Sequence, residues 1–189
     1  MSPATRRTVA AVVLSLLIPC LMAATYKGIE VPDTFTLSGT QLELNGYGIR
    51  TVTLLKVKLY IMALYLEARS ADADAIIASK GTKRVWQYYM REVGAERIQK
   101  GWRESLAEHN ESLAGIEKEC EQFTLLWEDV KKGTRVTVDF VEDRVEVSVD
   151  GRKKPAVEGT AFQKALLNVW LGPKVTDHAV KTAILGKAR

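Results

Sequence analysis

Cysteine and histidine are scarce in this chain of 189 residues, which holds two of each. The histidines, His109 and His178, are far apart, and no group of cysteines and histidines has the spacing of metal ligands, so a structural zinc site is excluded. Cys20 lies in an N-terminal segment that we expect to be removed, which leaves Cys120 alone and excludes an internal disulfide. The remaining chain is long enough to bury one sizeable core without such a cross-link.

The sequence also lacks the motifs of common catalytic mechanisms. It contains no glycine-rich phosphate loop, no nucleophile elbow and no triad built around a histidine. It has no Pro/Ser/Gly linker, no repeat and no low-complexity stretch, so residues 25–189 are predicted to form a single domain. Nothing in these patterns requires an enzyme.

The first 24 residues have the order of a secretory signal peptide. Two arginines precede an apolar run from Val9 to Ile18, and small residues follow at Ala23 and Ala24. The run is shorter than the roughly 20 residues that span a bilayer, and an uncleaved anchor is the alternative. We therefore expect a cleaved signal peptide (1–24) and a periplasmic or secreted protein with no membrane attachment after cleavage.

Cleavage makes the protein less basic than the full chain. It removes Arg6 and Arg7 but no acidic residue, so 27 basic and 23 acidic residues become 25 and 23, a net charge of +2. Basic clusters remain at 131–135 and 152–154, beside expected turns, and neither has interleaved aromatic residues. They are interpreted as solvated loop charge, and nucleic acid is not an expected partner.

Strand-like and helix-like periods follow one another in blocks. Alternating apolar residues predict strands near 34–37, 41–44, 52–67, 84–91, 135–140, 144–149 and 153–157, with turns at Asn45-Gly46 and Asp150-Gly151. In the strand near 84–91, Trp86, Tyr88 and Met90 share one side. Steps of three and four predict helices over 70–78, 98–116, 162–170 and 177–185, the last of them capped by Asp177. The same helical period continues beyond 116 through Cys120, Phe123 and Trp127. Consecutive hairpins with the helices gathered in blocks predict an α+β fold, in which a long antiparallel sheet carries a helical layer on one face.

Two polar residues of the long strand region are candidates for a ligand site. Arg50 precedes the strand, and Tyr60 stands where its second face changes from polar to apolar. An arginine and a phenol can together hold a carboxylate through charge-assisted and neutral hydrogen bonds. They meet only if the chain reverses near Leu55, and the alternative is a surface arginine with a core tyrosine.

His109 and the tryptophans are weaker candidates. His109 lies on an apolar helical stripe, where a histidine is usually a core or rim residue, although it is also a candidate axial ligand to haem iron. Trp86, Trp102 and Trp170, together with Tyr88, fit core packing, and they also fit the wall of a pocket for a flat or long apolar ligand.

Four segments of the chain resemble the chalcone isomerase-like family, in particular its exported bacterial branch. They are GYGIRTVTLLKVKLYIMALYLE (46–67), KRVWQYYMREV (83–93), EQFTLLWEDVKKGTRVTVDF (121–140) and GTAFQKALLNVWLGPKVTDHAVKTAILG (159–186). The resemblance therefore covers most of the chain from Leu44 to Gly186. It implies an open-faced β-sandwich, in which a cleft lies between a long antiparallel sheet and a layer of helices.

The resemblance also implies roles for individual residues. In the plant enzymes the cleft cyclises a chalcone to a flavanone, and in non-enzymatic relatives it binds fatty acids through an arginine and a tyrosine. Arg50 matches the arginine of both branches, and Tyr60 stands where the fatty-acid binders have their tyrosine and the enzyme a threonine. The helical tyrosine, lysine and asparagine of the enzyme fall near Val93, Glu96 and Lys100, so its hydrogen-bonding groups are replaced.

These observations favour non-catalytic binding of a small, largely apolar carboxylate that resembles a fatty acid. Arg50 and Tyr60 are predicted to hold the head group, and the cleft wall is predicted to contain Met62, Trp86, Val169 and Trp170. No cofactor is expected. The alternatives are an isomerase or intramolecular lyase of the chalcone isomerase type and a haem-binding protein that uses His109.

Overall fold

The computed structural model describes residues 24–26, 28–52 and 57–187. Apart from Ala24, the predicted signal peptide lies outside these residues, and so does the reversal predicted near Leu55. Among the helices that the structure describes, none has the length and apolarity needed to cross a bilayer.

An antiparallel sheet forms the centre of the described fold. Its strands are β3 (Thr34–Leu37), β4 (Thr40–Val52), β5 (Val57–Leu66), β6 (Lys83–Tyr89), β7 (Arg135–Val141), β8 (Arg144–Val149), β9 (Arg152–Lys153) and β10 (Val157–Glu158). They lie in the order β10-β8-β7-β6-β5-β4-β3, and β9 also pairs with β8. The third strand predicted near 153–157 is thus two short strands, β9 and β10, on the edge of one hairpin.

Five helices of the described chain accompany the sheet. They are α1 (Ala73–Ala78), α2 (Ala95–His109), α3 (Glu117–Leu125), α4 (Thr160–Leu171) and α5 (His178–Ile184). The main core lies between them and one sheet face, where Met62 and Leu64 of β5 pack with Phe123, Phe162 and Leu166. The predicted α+β fold, a long antiparallel sheet with helices on one face, is confirmed.

The opposite face of the sheet has a second, smaller core. A ribbon formed by β1 (Ala24–Tyr26) and β2 (Ile29–Val31) contributes Val31 to it. Ile61, Tyr65 and Trp86 from the sheet also belong to it, and they are almost fully buried. Successive residues of a strand point to opposite faces, so β5 supplies both cores.

Asn45-Gly46 does not form the predicted turn. Both residues lie inside β4, and the register shift between Leu44 and Gly46 leaves Asn45 as a bulge. Its side-chain amide donates to the carbonyls of Ser70 and Ile184 at 2.9 and 2.8 Å. Asn45 and Gly46 instead form the surface on which α5 packs. Because Gly46 has no side chain, the carbonyl of Ala183 can approach the backbone of β4.

The helical stripe predicted over 98–116 and continued to Trp127 is interrupted, because α2 and α3 are separate helices. α2 ends at His109, and Asn110 is extended, with its side-chain amide donating to the carbonyls of Leu106 and Ala165 at 2.9 and 3.1 Å. Leu113 and Ile116 still pack against the main core from the connecting segment. Their apolar spacing therefore reports burial and not helix.

Candidate functional site

A row of three polar residues crosses the helix-facing side of the sheet. Arg50 on β4 pairs in register with Tyr60 on β5, which in turn pairs with Tyr89 on β6. Directly paired residues of antiparallel strands point to the same face, so the guanidinium and the two phenols lie side by side. The Tyr60 and Tyr89 ring centroids are 5.3 Å apart.

Arg50 has an acidic partner that the sequence had not suggested. Its Nη1 donates to Oδ2 of Asp177 at 2.9 Å, and the two side chains are 31% and 17% exposed. The other carboxylate oxygen of Asp177 accepts the backbone N–H of Val180 at 3.1 Å and so caps α5. One side chain therefore begins the helix and neutralises the cation at the end of the row.

α5 brings Asp177 to this position because it lies directly on β4. Gly46 and Gly48 are on the same face as Arg50, and added side chains there would collide with the backbone of 183–186 and with Cβ of Ala183. Two glycines followed by an arginine thus create a flat seat for the helix and a charged partner for its first turn.

Both phenols of the row stay protonated at neutral pH. Burial raises the pKa of Tyr60 above its ordinary value, an effect that Arg50 and the Trp170 indole oppose and Asp177 reinforces. Burial also raises the pKa of Tyr89 well above its ordinary value, and the neighbouring Tyr60 adds to the effect. Each is therefore available as a neutral hydrogen-bond donor.

The row borders a cavity of about 850 Å³ between the sheet and the helices. Volumes of about 300–1,000 Å³ are typical of small-molecule sites. α2 supplies Ile98 and Trp102, and the end of α4 supplies Val169 and Trp170. The indoles of Trp102 and Trp170 meet edge to face, with centroids 5.5 Å apart, and form an aromatic wall.

Charged side chains line the outer part of the cavity, where the chain enters α2. Equal numbers of basic and acidic residues occur there: Arg91, Glu92, Glu96, Arg97, Lys100 and Glu104. Each of them is solvent-exposed. This rim presents no dominant sign of charge, and Arg50 is balanced by Asp177, so the cavity does not offer an anion a net positive field.

The structure brings together four of the predicted site residues. Arg50, Tyr60, Val169 and Trp170 all line the cavity. His109 lines it too, and its Nδ1 lies 2.7 Å from the carbonyl oxygen of Ser105, which fits donation by Nδ1–H.

Two predicted wall residues do not line the cavity, and their placement is corrected. Met62 is fully buried in the main core beneath it. Trp86 lies on the other face of the sheet, in the smaller core, because it is an odd number of positions from Tyr89 on one strand.

Asp177 and Tyr89 are the cavity residues that sequence reasoning did not place at the site. The sequence contained a signal for Tyr89, because it lies on the opposite face of its strand from Trp86. The structure pairs it with Tyr60. Trp102, which fits a pocket wall from its sequence as well as core packing, lines the cavity. Asp177 was recognised as a helix cap, but no pattern in the sequence indicates that this cap reaches β4.

A model of the chalcone isomerase-like family matches residues 23–186. The chain belongs to this family. A solved structure with a similar fold is a fatty-acid binding protein of Arabidopsis thaliana, with a TM-score of 0.71 and 13% identity over 86% of this chain and 95% of that chain. At this identity the likeness shows the fold alone. A search of curated proteins found no match.

Three further cavity residues stand at positions that the resemblance to the plant enzymes had indicated. Val93, Glu96 and Lys100, near which the resemblance places the helical tyrosine, lysine and asparagine of the plant enzymes, all line the cavity. Lys100 is exposed and lies 3.8 Å from Glu104. The positions that the resemblance assigns to the helical residues of the plant enzymes thus lie at this cavity, where they are occupied by valine, glutamate and lysine.

Proposed function

We propose that this protein binds a small, largely apolar carboxylate, resembling a fatty acid, in the cavity between the sheet and α2, without transforming it. The row formed by Arg50, Tyr60 and Tyr89 carries the proposal, since it puts one guanidinium and two protonated phenols at one wall of a cavity that also has apolar walls. Such a combination holds an acidic head group while the aromatic wall accommodates the tail.

A structural comparison supports the same function. The similar Arabidopsis structure is that of a fatty-acid binding protein. The walls of the cavity in this chain include Leu59, Ile98, Val169 and Val175 besides the indoles, so a hydrocarbon tail has apolar partners. Burial of each methylene stabilises the complex by about 0.8 kcal/mol.

We place this function outside the cytoplasm. The proposal relies on the basic, apolar and small-residue order of the first 24 residues and on the single cysteine that follows them. Mass measurement of the protein purified from its own host should give a chain that begins close to Thr25. A full-length chain would contradict export by cleavage.

Arg50→Ala tests the binding proposal. Loss of the guanidinium should weaken binding of dodecanoate by roughly tenfold to a hundredfold, equivalent to about 1.5–3 kcal/mol, in calorimetric titration. Lys58→Ala is the matched control, because Lys58 also lies on the β4–β5 hairpin but contacts the hydroxyl of Tyr26 at 2.8 Å instead of the cavity. Equal affinities for the two variants would contradict the head-group assignment.

Turnover measurements separate binding from catalysis. Incubation with a chalcone should give no saturable cyclisation above the background rate, as followed by absorbance. Saturable, protein-dependent formation of a flavanone would contradict the binding proposal and support an isomerase of the chalcone isomerase type.

His109 gives one observation in favour of the haem alternative. It lines the cavity, and donation of Nδ1–H to Ser105 leaves Nε2 with a free lone pair, the form that ligates iron. Added haemin should therefore produce a Soret band that disappears in His109→Ala if this alternative holds. An unchanged spectrum on addition of haemin would dispose of it.

A further inference from the structure

The charge balance around Arg50 bears on which head groups the cavity prefers. Arg50 lines the cavity, yet its Nη1 already donates to the carboxylate of Asp177 at 2.9 Å. Asp177 lines the same cavity and is 17% exposed, so it is not screened by protein from a molecule that reaches Arg50. A carboxylate ligand must therefore share the guanidinium with a carboxylate of the protein.

The remaining N–H donors of Arg50 allow it to bind two carboxylates at once, but they do not remove the repulsion between those carboxylates. A guanidinium has five N–H donors, and Asp177 takes one of them. A ligand carboxylate at another edge of the same group stands near Asp177, and like charges at this separation in a partly buried site repel each other. The charged rim provides no compensation, since its acidic and basic residues are equal in number.

A neutral head group is not repelled by the carboxylate of Asp177. An alcohol or amide can accept from Arg50 and from the phenol of Tyr60 while the Arg50–Asp177 pair stays intact. Asp177 therefore raises the free energy of the complex with a carboxylate and leaves that with a neutral amphiphile almost unchanged.

Resting on the function proposed above, we propose that Asp177 sets the head-group selectivity of the cavity by competing with the ligand's carboxylate for Arg50. It is a specificity-determining residue, and it moderates the affinity for fatty acids relative to their uncharged analogues.

Asp177→Asn tests this role, because asparagine keeps the capacity to cap α5 and removes only the charge. The variant should bind dodecanoate about tenfold more tightly, equivalent to about 1.4 kcal/mol, and dodecanol within about twofold of the unsubstituted protein. Asp177→Ser, which also caps a helix without charge, should give the same selective gain and guards against a folding defect in one variant.

Asp72→Asn is the matched control. Asp72 caps α1 through the backbone N–H of Ala75 at 3.0 Å and does not line the cavity. It should leave both affinities unchanged.

The outcomes separate this inference from the function on which it rests. Suppose that the unsubstituted protein binds dodecanoate and that Arg50→Ala weakens this binding. If Asp177→Asn weakens it too, Asp177 positions Arg50, and if Asp177→Asn leaves it unchanged, Asp177 does not compete with the ligand; either result overturns the inference alone. If neither the unsubstituted protein nor Asp177→Asn binds dodecanoate, the proposed function and the inference are both overturned.

Discussion

Tyr60 offers the sharpest test of the site at the level of one atom. Tyr60→Phe keeps the ring against Tyr89 and removes only the hydroxyl. Loss of a donor to a charged head group should weaken dodecanoate binding by about 1.5–3 kcal/mol, and calorimetric titration measures it. Tyr47→Phe is the control, since Tyr47 packs against the smaller core on the other face. Equal effects of the two substitutions would remove the phenol from the site.

Single residues show where sequence reasoning succeeded and where it stopped. Arg50 and Tyr60 were placed together by resemblance and by a reversal assumed near Leu55, and the register of β4 and β5 makes them direct partners. Asp177 was missed as their neighbour because it is 127 positions from Arg50, and a contact of this range depends on how α5 docks. Local periodicity carries no information about such docking.

At the scale of secondary-structure elements, the wrong predictions arose where a tertiary contact overrides a local signal. The Asn45-Gly46 pair is a strong turn signal, yet the tertiary contact with α5 uses both residues within a strand. The amide of Asn45 needs three backbone partners that come from Ser70 and Ile184, and the sequence does not show these partners meeting. The turn at Asp150-Gly151 was predicted correctly, because the strands that it joins, β8 and β9, are adjacent in sequence.

Gly46→Ala tests the docking of α5 on β4. The added methyl group would collide with the carbonyl of Ala183 and lie 2.8 Å from the backbone nitrogen of Gly186, so the helix must shift. We expect a loss of about 1–3 kcal/mol in the free energy of unfolding, measured by urea denaturation.

Gly101→Ala is the matched control for that substitution. Gly101 lies in α2, and a methyl group there meets no atom within 4 Å. Alanine favours helix over glycine by about 0.8–1 kcal/mol, so this variant should be more stable. Destabilisation of both variants to the same extent would show that the α5 contact is not special.

The whole molecule is a sheet with two unequal cores, and this arrangement explains the misplacement of Trp86. An aromatic residue in a strand fits either face, and only the register of β6 with β5 decides between them. The alternation of Trp86, Tyr88 and Met90 was recognised, but not which core they face. The fold class followed from the order of periods because hairpins and helices are local, whereas the assignment of faces depends on packing between layers.

Buried phenols on both faces of the sheet make the folded protein less stable at alkaline pH. Burial raises the pKa of Tyr65, with Asp33 reinforcing and Arg84 opposing the effect, and the pKa values of Tyr60 and Tyr89 are raised as well. An unfolded tyrosine ionises near pH ~10. Above that pH the unfolded chain loses protons that the folded chain keeps, so the stability present below pH ~10 falls as the pH rises further.

Tyr65→Phe should make this loss smaller. The phenol of Tyr65 is fully buried and donates to the carbonyl of Pro32 at 2.7 Å, so the variant should be less stable by about 1 kcal/mol at neutral pH. Between about pH 9 and about pH 11 its urea midpoint should nevertheless fall less than that of the unsubstituted protein, because one ionising group has been removed. Burial lowers the pKa of Lys83 to about 8, which acts in the opposite direction, but this contribution is common to both proteins and cancels in the comparison. Equal falls would mean that the phenol of Tyr65 ionises alike in the folded and unfolded chains, against its burial.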